Sequence, residues 1–319
     1  MLTRTHVEEA VAAVEASTRL ESRRHEFRSM GMDIIALIGP APQSPEELDA
    51  FEAAAGSVEA VFAWVDARFS RFREDSELSV VNRRAGRWQR VSPPFAEVLR
   101  LALSGARATG GLFDPTILPE LVAAGYDRDF AELAAGTPTV RQPPGRPVRW
   151  RDVQLDGLLL HVPSGGALDF GGLAKGWAAD LAAGAAAALP WAVVDAGGDL
   201  RVAGRPPRPI PIGVADPHDP SVELLQLGLQ DGALATSSIA GRSWGDGMHH
   251  VIDPRTSHPA RTGVVQATVW ADTCTDAEIL SKWALLSGPR VLRELPAVLV
   301  MEDGRVLVSF HGLREPVAC

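Results

Sequence analysis

The chain has 319 residues, 46% of them hydrophobic and 22% charged, with a formal net charge of −9. That length and balance describe a globular protein with a substantial core and exclude a disordered or fibrous chain. The negative charge argues against a general nucleic-acid or anionic-membrane surface, and leaves room for an anionic small ligand in a local pocket.

Residues 1–24 are charged throughout and lack the apolar core and cleavage site of a signal peptide, so they read as an N-terminal helix or arm. A single domain is expected over residues 25–319. No run reaches the roughly 20 apolar residues of a membrane span. The two cysteines, Cys274 and Cys319, imply neither a disulfide framework nor a zinc site, and a cytoplasmic location is expected.

The run "DIIALI", 33–38, reads as a buried strand. Residues 45–70 have helical periodicity, with Phe51, Val58, Val61, Phe62, Val65 and Phe69 near one face. A second helix is predicted over 92–109, with Ser92 as N-cap and prolines in its first turn. Strands are predicted at 155–162, 167–170, 192–195, 210–214, 224–230, 248–252, 264–270 and 297–301, and further helices over 173–188 and 275–287. Strands and helices mixed without a βαβ rhythm favour an α+β fold.

Five stretches carry candidate chemistry. In "ALDFGGLAKGWAAD", 167–180, a short apolar run meets Gly171-Gly172 and then a helix. Such a junction offers backbone N–H groups to an anion. Lys175 falls in the first turn, where the helix dipole disfavours a cation, so an anion should lie nearby. That anion is a phosphate ligand or, in the plain structural reading, Asp169 or Asp180. In "TGGLFDPTI", 109–117, two glycines lead into Leu112, Phe113 and Asp114; Phe113 could be core, and Asp114 could simply start an Asp-Pro turn.

"VVDAGGDLRVAG", 193–204, ends a β-run in a glycine pair that fits either a hairpin turn or a close ligand. "ATSSIAGRSWGDGMHHVIDP", 235–254, holds Thr236, Ser237 and the pair His249-His250. In an extended segment only one of the two histidines can face a given site. A histidine beside a phosphate can act as acid, base or donor. In "TCTDAEILSKWALL", 273–286, Asp276 and Glu278 sit at a helix start, and Glu278 and Lys282 form an i, i+4 pair. The functional alternative there is a carboxylate site for Mg2+.

Taken in order, these motifs resemble the ApbE family, the FAD:protein FMN transferases. The other matching elements are "SMGM" at 29–32, "RFREDSELSVVNR" at 71–83 and "HHVIDP" at 249–254. The resemblance covers nearly the whole chain after the N-terminal arm. It implies an ApbE-like, T-fold-related α+β architecture of mixed sheets and packed helices, with an FAD cleft between two halves. It implies FAD contacts by Met30, Phe72, Leu112, Phe113, Asp114, Asp169, Lys175, Thr236, Ser237 and Ile252. His250 would be the general base, and Lys175 would act on the pyrophosphate.

For Mg2+, the resemblance implies Gly172 and Glu278 as ligands, with Asp276 as a second carboxylate. Lys282 falls where the family has a threonine ligand, which puts an ammonium in the place of a metal-binding oxygen. The activity implied is transfer of FMN from FAD to a Thr or Ser hydroxyl of an acceptor protein, releasing AMP. The alternatives are FAD hydrolysis to FMN and AMP, and FAD binding without catalysis.

Overall fold

The computed structural model describes residues 21–136, 138–145, 148–245 and 247–311. Eight strands make one sheet: β1 (Arg23–Ser29), β2 (Met32–Gly39), β3 (Trp191–Ala196), β4 (Asp199–Gly204), β5 (Gly232–Ser238), β6 (Val264–Ala271), β7 (Ala297–Met301) and β8 (Val306–Ser309). They lie side by side in chain order, and every neighbouring pair is antiparallel. The sheet is therefore a meander, and the rest of the chain is inserted between its strands. The architecture is α+β.

The excursion between β2 and β3 carries α1 (Pro45–Phe69), α2 (Glu77–Arg83), α3 (Pro93–Ala108), α4 (Leu118–Ala123), α5 (Phe130–Ala135) and α6 (Ala174–Ala185). The helix α7 (Cys274–Ser287) links β6 to β7. The Ser92 cap read from sequence is present, and the structure adds a second at Ser44. Ser44 accepts from Glu47 N at 3.2 Å, and Ser92 accepts from Phe95 N at 3.3 Å, each ahead of a proline that starts its helix.

The central strand β3 shows how the core is divided. Side chains alternate across a strand. Ala192, Val194 and Ala196 pack with Phe62 and Val65 of α1 and Ala178 and Ala182 of α6. Trp191 and Val193 face the other way, against Ile210, Val214 and Leu227 of a hairpin formed by Ile210–Ala215 and Glu223–Leu229. Burial on both faces explains why β3 reads as a continuous apolar run. Each fully buried Phe or Leu in these layers contributes about 1.5–3 kcal/mol.

Three predicted elements differ. The strand at 155–162 is two short strands, Gln154–Asp156 and Leu159–His161, folded back on each other. Residues 167–170 are irregular rather than a strand. The Asn82 side chain holds both backbone groups of Leu168, at 2.8 Å each, and Asp169 N donates to Pro115 O at 2.8 Å. A side-chain amide thus takes the place of a neighbouring strand. Residues 248–252 form parts of two small ribbons, because the chain turns at His250 and Val251. Of the predicted arm, residues 1–20 lie outside the described residues, and Arg23 and Arg24 already belong to β1.

Candidate active site

Two tight turns at the same end of the sheet start a cleft of about 840 Å3. Met30 and Gly31, with φ of 52° and 74°, join β1 to β2. Gly197 and Gly198, with φ of 65° and 94°, join β3 to β4. Two-residue hairpins whose central residues both have positive φ match the strand twist, and glycine adopts them freely. Met30 adopts this backbone at a cost of about 1–2 kcal/mol, as a side chain held in place at the cleft mouth. The glycine pair after β3 is thus a hairpin turn and a cleft wall at once.

The lining also includes the loop 169–172 and the start of α6, and behind it lies a buried charge cluster. The Lys175 ammonium pairs with Asp199 and, at 2.9 Å, with Glu278. Lys282 Nζ donates to the same Glu278 Oε1 at 3.2 Å and to the Glu278 carbonyl at 3.2 Å. Gly176 N donates to Glu278 Oε2 at 2.8 Å. Glu278 and Asp199 are almost fully buried, whereas both lysines reach the cleft. Burial pushes the Lys175 ammonium below its ordinary value, and the Glu278 charge opposes that shift. Burial would raise Glu278, but Lys175, Lys282 and the Gly176 N–H outweigh it and hold the carboxyl below its ordinary value.

The carboxylate partners suggested by sequence for Lys175 are therefore corrected. Asp169 pairs instead with Arg71 Nε at 2.9 Å and accepts from Gly171 N at 2.7 Å. Asp180 accepts from Cys274 N, Thr275 N and Thr275 Oγ1 at 2.7–2.9 Å. It serves as the anion at the N-terminus of α7.

The two histidines divide as their alternation requires. His249 is buried, with Nε2 3.1 Å from Ala260 O and Nδ1 accepting from Val251 N at 3.3 Å. Those contacts fix its tautomer and leave it no free nitrogen. His250 lines the cleft. Its Nδ1 lies 3.3 Å from Arg242 O. A carbonyl only accepts, so Nδ1 carries the proton and Nε2 keeps its lone pair. Burial, followed by the charge of Arg242, pushes the His250 pKa down to about 3, so the ring is neutral at physiological pH.

Arg71 completes the floor. Its guanidinium lies 4.1 Å from the Phe72 ring centre and 4.4 Å from that of Tyr126. It donates from Nη1 to Tyr126 O at 2.8 Å and pairs through Nε with Asp169, yet Nη2 is buried with no partner in the protein. A buried, charged donor left over in a cleft is a group waiting for a ligand acceptor.

The profile of the ApbE family matches residues 30–299 of this chain. The chain belongs to the ApbE family. It is 31% identical over 271 residues to the FAD:protein FMN transferase of Treponema pallidum, covering 74% of each chain. It is 30% identical over 251 residues to the enzyme of that name from Rhodobacter capsulatus, covering 70% of this chain and 46% of that one. Among solved structures, the ApbE protein of Thermotoga maritima superposes with a TM-score of 0.79 at 25% identity, covering 91% of this chain and 97% of that one. The apo flavinyl transferase ApbE of Pseudomonas stutzeri, at 23% identity and a TM-score of 0.76, shares the fold, covering 91% and 95%.

In this ApbE-family chain, Met30, Phe72, Leu112, Phe113, Asp114, Asp169, Gly172, Lys175, Thr236, Ser237, His250 and Ile252 all line the one cleft. Several have structural duties as well. Asp114 accepts from Thr116 N and Oγ1 at 2.8 and 2.6 Å, the turn role read from its Asp-Pro context. Phe113 also belongs to the core. Ser237 Oγ pairs with Ser281 Oγ at 2.7 Å.

The three proposed metal ligands do not come together. Asp276 is exposed, outside the cleft, and exchanges hydrogen bonds with the N-cap Thr273. The Glu278 oxygens are taken by two ammoniums and an N–H. Gly172 abuts the Lys282 stem, whose Cε lies 3.0 Å from where a Gly172 Cβ would stand. Among the described residues, no three His, Cys, Asp or Glu side chains are placed to hold a metal ion.

Sequence reading passed over Arg71, Tyr126, Arg242 and Asp199. Arg71 directly precedes Phe72, Asp199 directly follows the glycine pair and Arg242 falls within 235–254, so all three lay inside the motifs above. Their roles depend on partners across the fold, which spacing does not reveal.

Proposed function

We propose that this chain is an FAD:protein FMN transferase, moving FMN from FAD onto a Thr or Ser hydroxyl of an acceptor protein. The observation that carries this reading is one cleft of dinucleotide size that brings together cationic Lys175 and Lys282, neutral His250 and the unsatisfied Arg71 Nη2. Lys175 and Lys282 suit the pyrophosphate. Met30, Phe72 and Tyr126 offer an apolar and aromatic surface for the flavin, and Arg71 offers it a donor.

His250 Nε2 accepts the proton of the attacking hydroxyl. The hydroxyl oxygen bonds to the FMN phosphorus, and the bond from that phosphorus to the AMP oxygen breaks. The two ammoniums offset the charge that develops on the departing AMP. Magnesium, implied by the sequence resemblance, does not fit these residues, and no step requires it. The proposed setting is the cytoplasm, in keeping with a buried free thiol at Cys274.

The test is incubation with FAD and a Thr-bearing peptide. AMP together with flavinylated peptide supports transfer. AMP with free FMN makes the protein an FAD pyrophosphatase, and intact bound FAD makes it a binding protein only.

A further inference from the structure

We infer that Lys282 is a built-in cation that stands in place of a divalent metal, so that this chain binds and cleaves FAD without one. The inference rests on the transferase reading above and specifies how that site handles charge.

Lys282 is held from three sides. Its Nζ is 3.2 Å from Glu278 Oε1 and 3.2 Å from the Glu278 carbonyl, and its stem packs against Gly172. It therefore stands between Gly172 and Glu278, two of the three candidate metal ligands, touching both. A hard divalent cation needs about six oxygen ligands. Here Glu278 Oε1 serves both Lys175 and Lys282, Oε2 takes the Gly176 N–H, and Asp199 pairs with Lys175 through Oδ2, so that Asp199 Oδ1, buried without a hydrogen-bond partner, is a lone oxygen far short of such a ligand set.

Nor do the nearby hydroxyls offer free oxygens. Ser281 Oγ donates to the Glu278 carbonyl at 2.9 Å and pairs with Ser237. A metal ion entering this space would have to expel an ammonium and sit beside another. The lysine does what the ion would do for the substrate: it places fixed positive charge at the cleft surface, neutralised from behind by a buried carboxylate.

The test measures FAD binding by flavin fluorescence and Mn2+ binding by electron paramagnetic resonance, on the full chain. For the unmodified protein, FAD affinity in EDTA and in millimolar Mg2+ should agree within about twofold, and Mn2+ should stay free whether or not FAD is present. Lys282→Thr should lose about tenfold in FAD affinity in EDTA, regain it with Mg2+, and bind Mn2+. Lys282→Met keeps the packed stem, so its FAD affinity should fall similarly and not be rescued by Mg2+. Stoichiometric Mn2+ binding by the unmodified protein, or FAD binding that needs Mg2+, overturns the inference. Absence of FAD binding under all conditions would instead sink the transferase reading and this one with it, whereas the Mn2+ titration speaks to Lys282 alone.

Discussion

Arg71 gives the sharpest perturbation of the cleft, because its four interactions separate into structural and ligand-facing parts. Its Nε and Nη1 hold Asp169 and Tyr126 O, its guanidinium packs over the neighbouring Phe72 and Tyr126 rings, and only Nη2 is unspent. In Arg71→Ala the nearly buried Asp169 keeps only the Gly171 N–H. Removing one member of a buried ion pair costs about 3–5 kcal/mol, and the surviving hydrogen bond puts this case near about 3 kcal/mol. A chain of this size should melt roughly 5 °C lower.

Arg71→Lys keeps the charge and loses the planar fork. The missing bond to the ligand is charge-assisted, worth about 1.5–3 kcal/mol, so FAD affinity should fall by at least about tenfold. Thermal melting and flavin fluorescence titration read the two effects separately. The double variant Arg71→Met/Asp169→Asn removes the stranded carboxylate, and should recover stability without recovering FAD affinity. If Arg71→Lys binds FAD within about twofold of the unmodified protein, Nη2 has no ligand role and the reasoning fails.

Other consequences follow from the same geometry. His250→Asn should slow AMP release about 100-fold or more while changing FAD affinity far less, as stopped assays and binding titrations can show. The folded protein holds His250 near a pKa of about 3 against an ordinary 6.5, so the unfolded chain binds the proton first as pH falls. Stability of the ligand-free protein should therefore decline from about pH 6.5 toward about pH 3, and His250→Gln should flatten that part of a melting-versus-pH curve. Gly176→Ala would place a methyl group against the Cys274 carbonyl, where α6 meets α7. It should cost about 1–3 kcal/mol, visible as a lower denaturation midpoint, and loosen the hold of Gly176 N on Glu278.

Much of this was legible in the chain. Ser92 fixed a helix start because capping is local, and "DIIALI" announced β2 because a strand buried on both faces is apolar throughout. The cleft residues were legible because their motifs are contiguous and each contributes a wall. What failed was pairing at a distance. Nothing near Lys175 in sequence shows that its partners are Asp199 and Glu278, 24 and 103 positions away. "ALDF" looked like a strand because its residues suit one; only Asn82, reaching across the fold, makes it a loop. Asp276 was a reasonable metal ligand on charge alone until its side chain turned out to close the cap with Thr273.

The cluster behind the cleft also explains why Lys175 is tolerated at a helix start. An isolated ammonium there would suffer burial and an unfavourable dipole together. With Asp199 and Glu278 behind them, Lys175 and Lys282 form a nearly neutral group whose positive ends face the cleft. Such a group exerts a weaker long-range pull on an anion than a bare metal ion would, and it costs little reorganisation when the substrate arrives, since its dipoles already point at the phosphates. The same balance makes each carboxylate indispensable to the fold: without Glu278, two ammoniums would face each other in a buried space. A metal site empties in chelator and refills; this one can be emptied only by mutation.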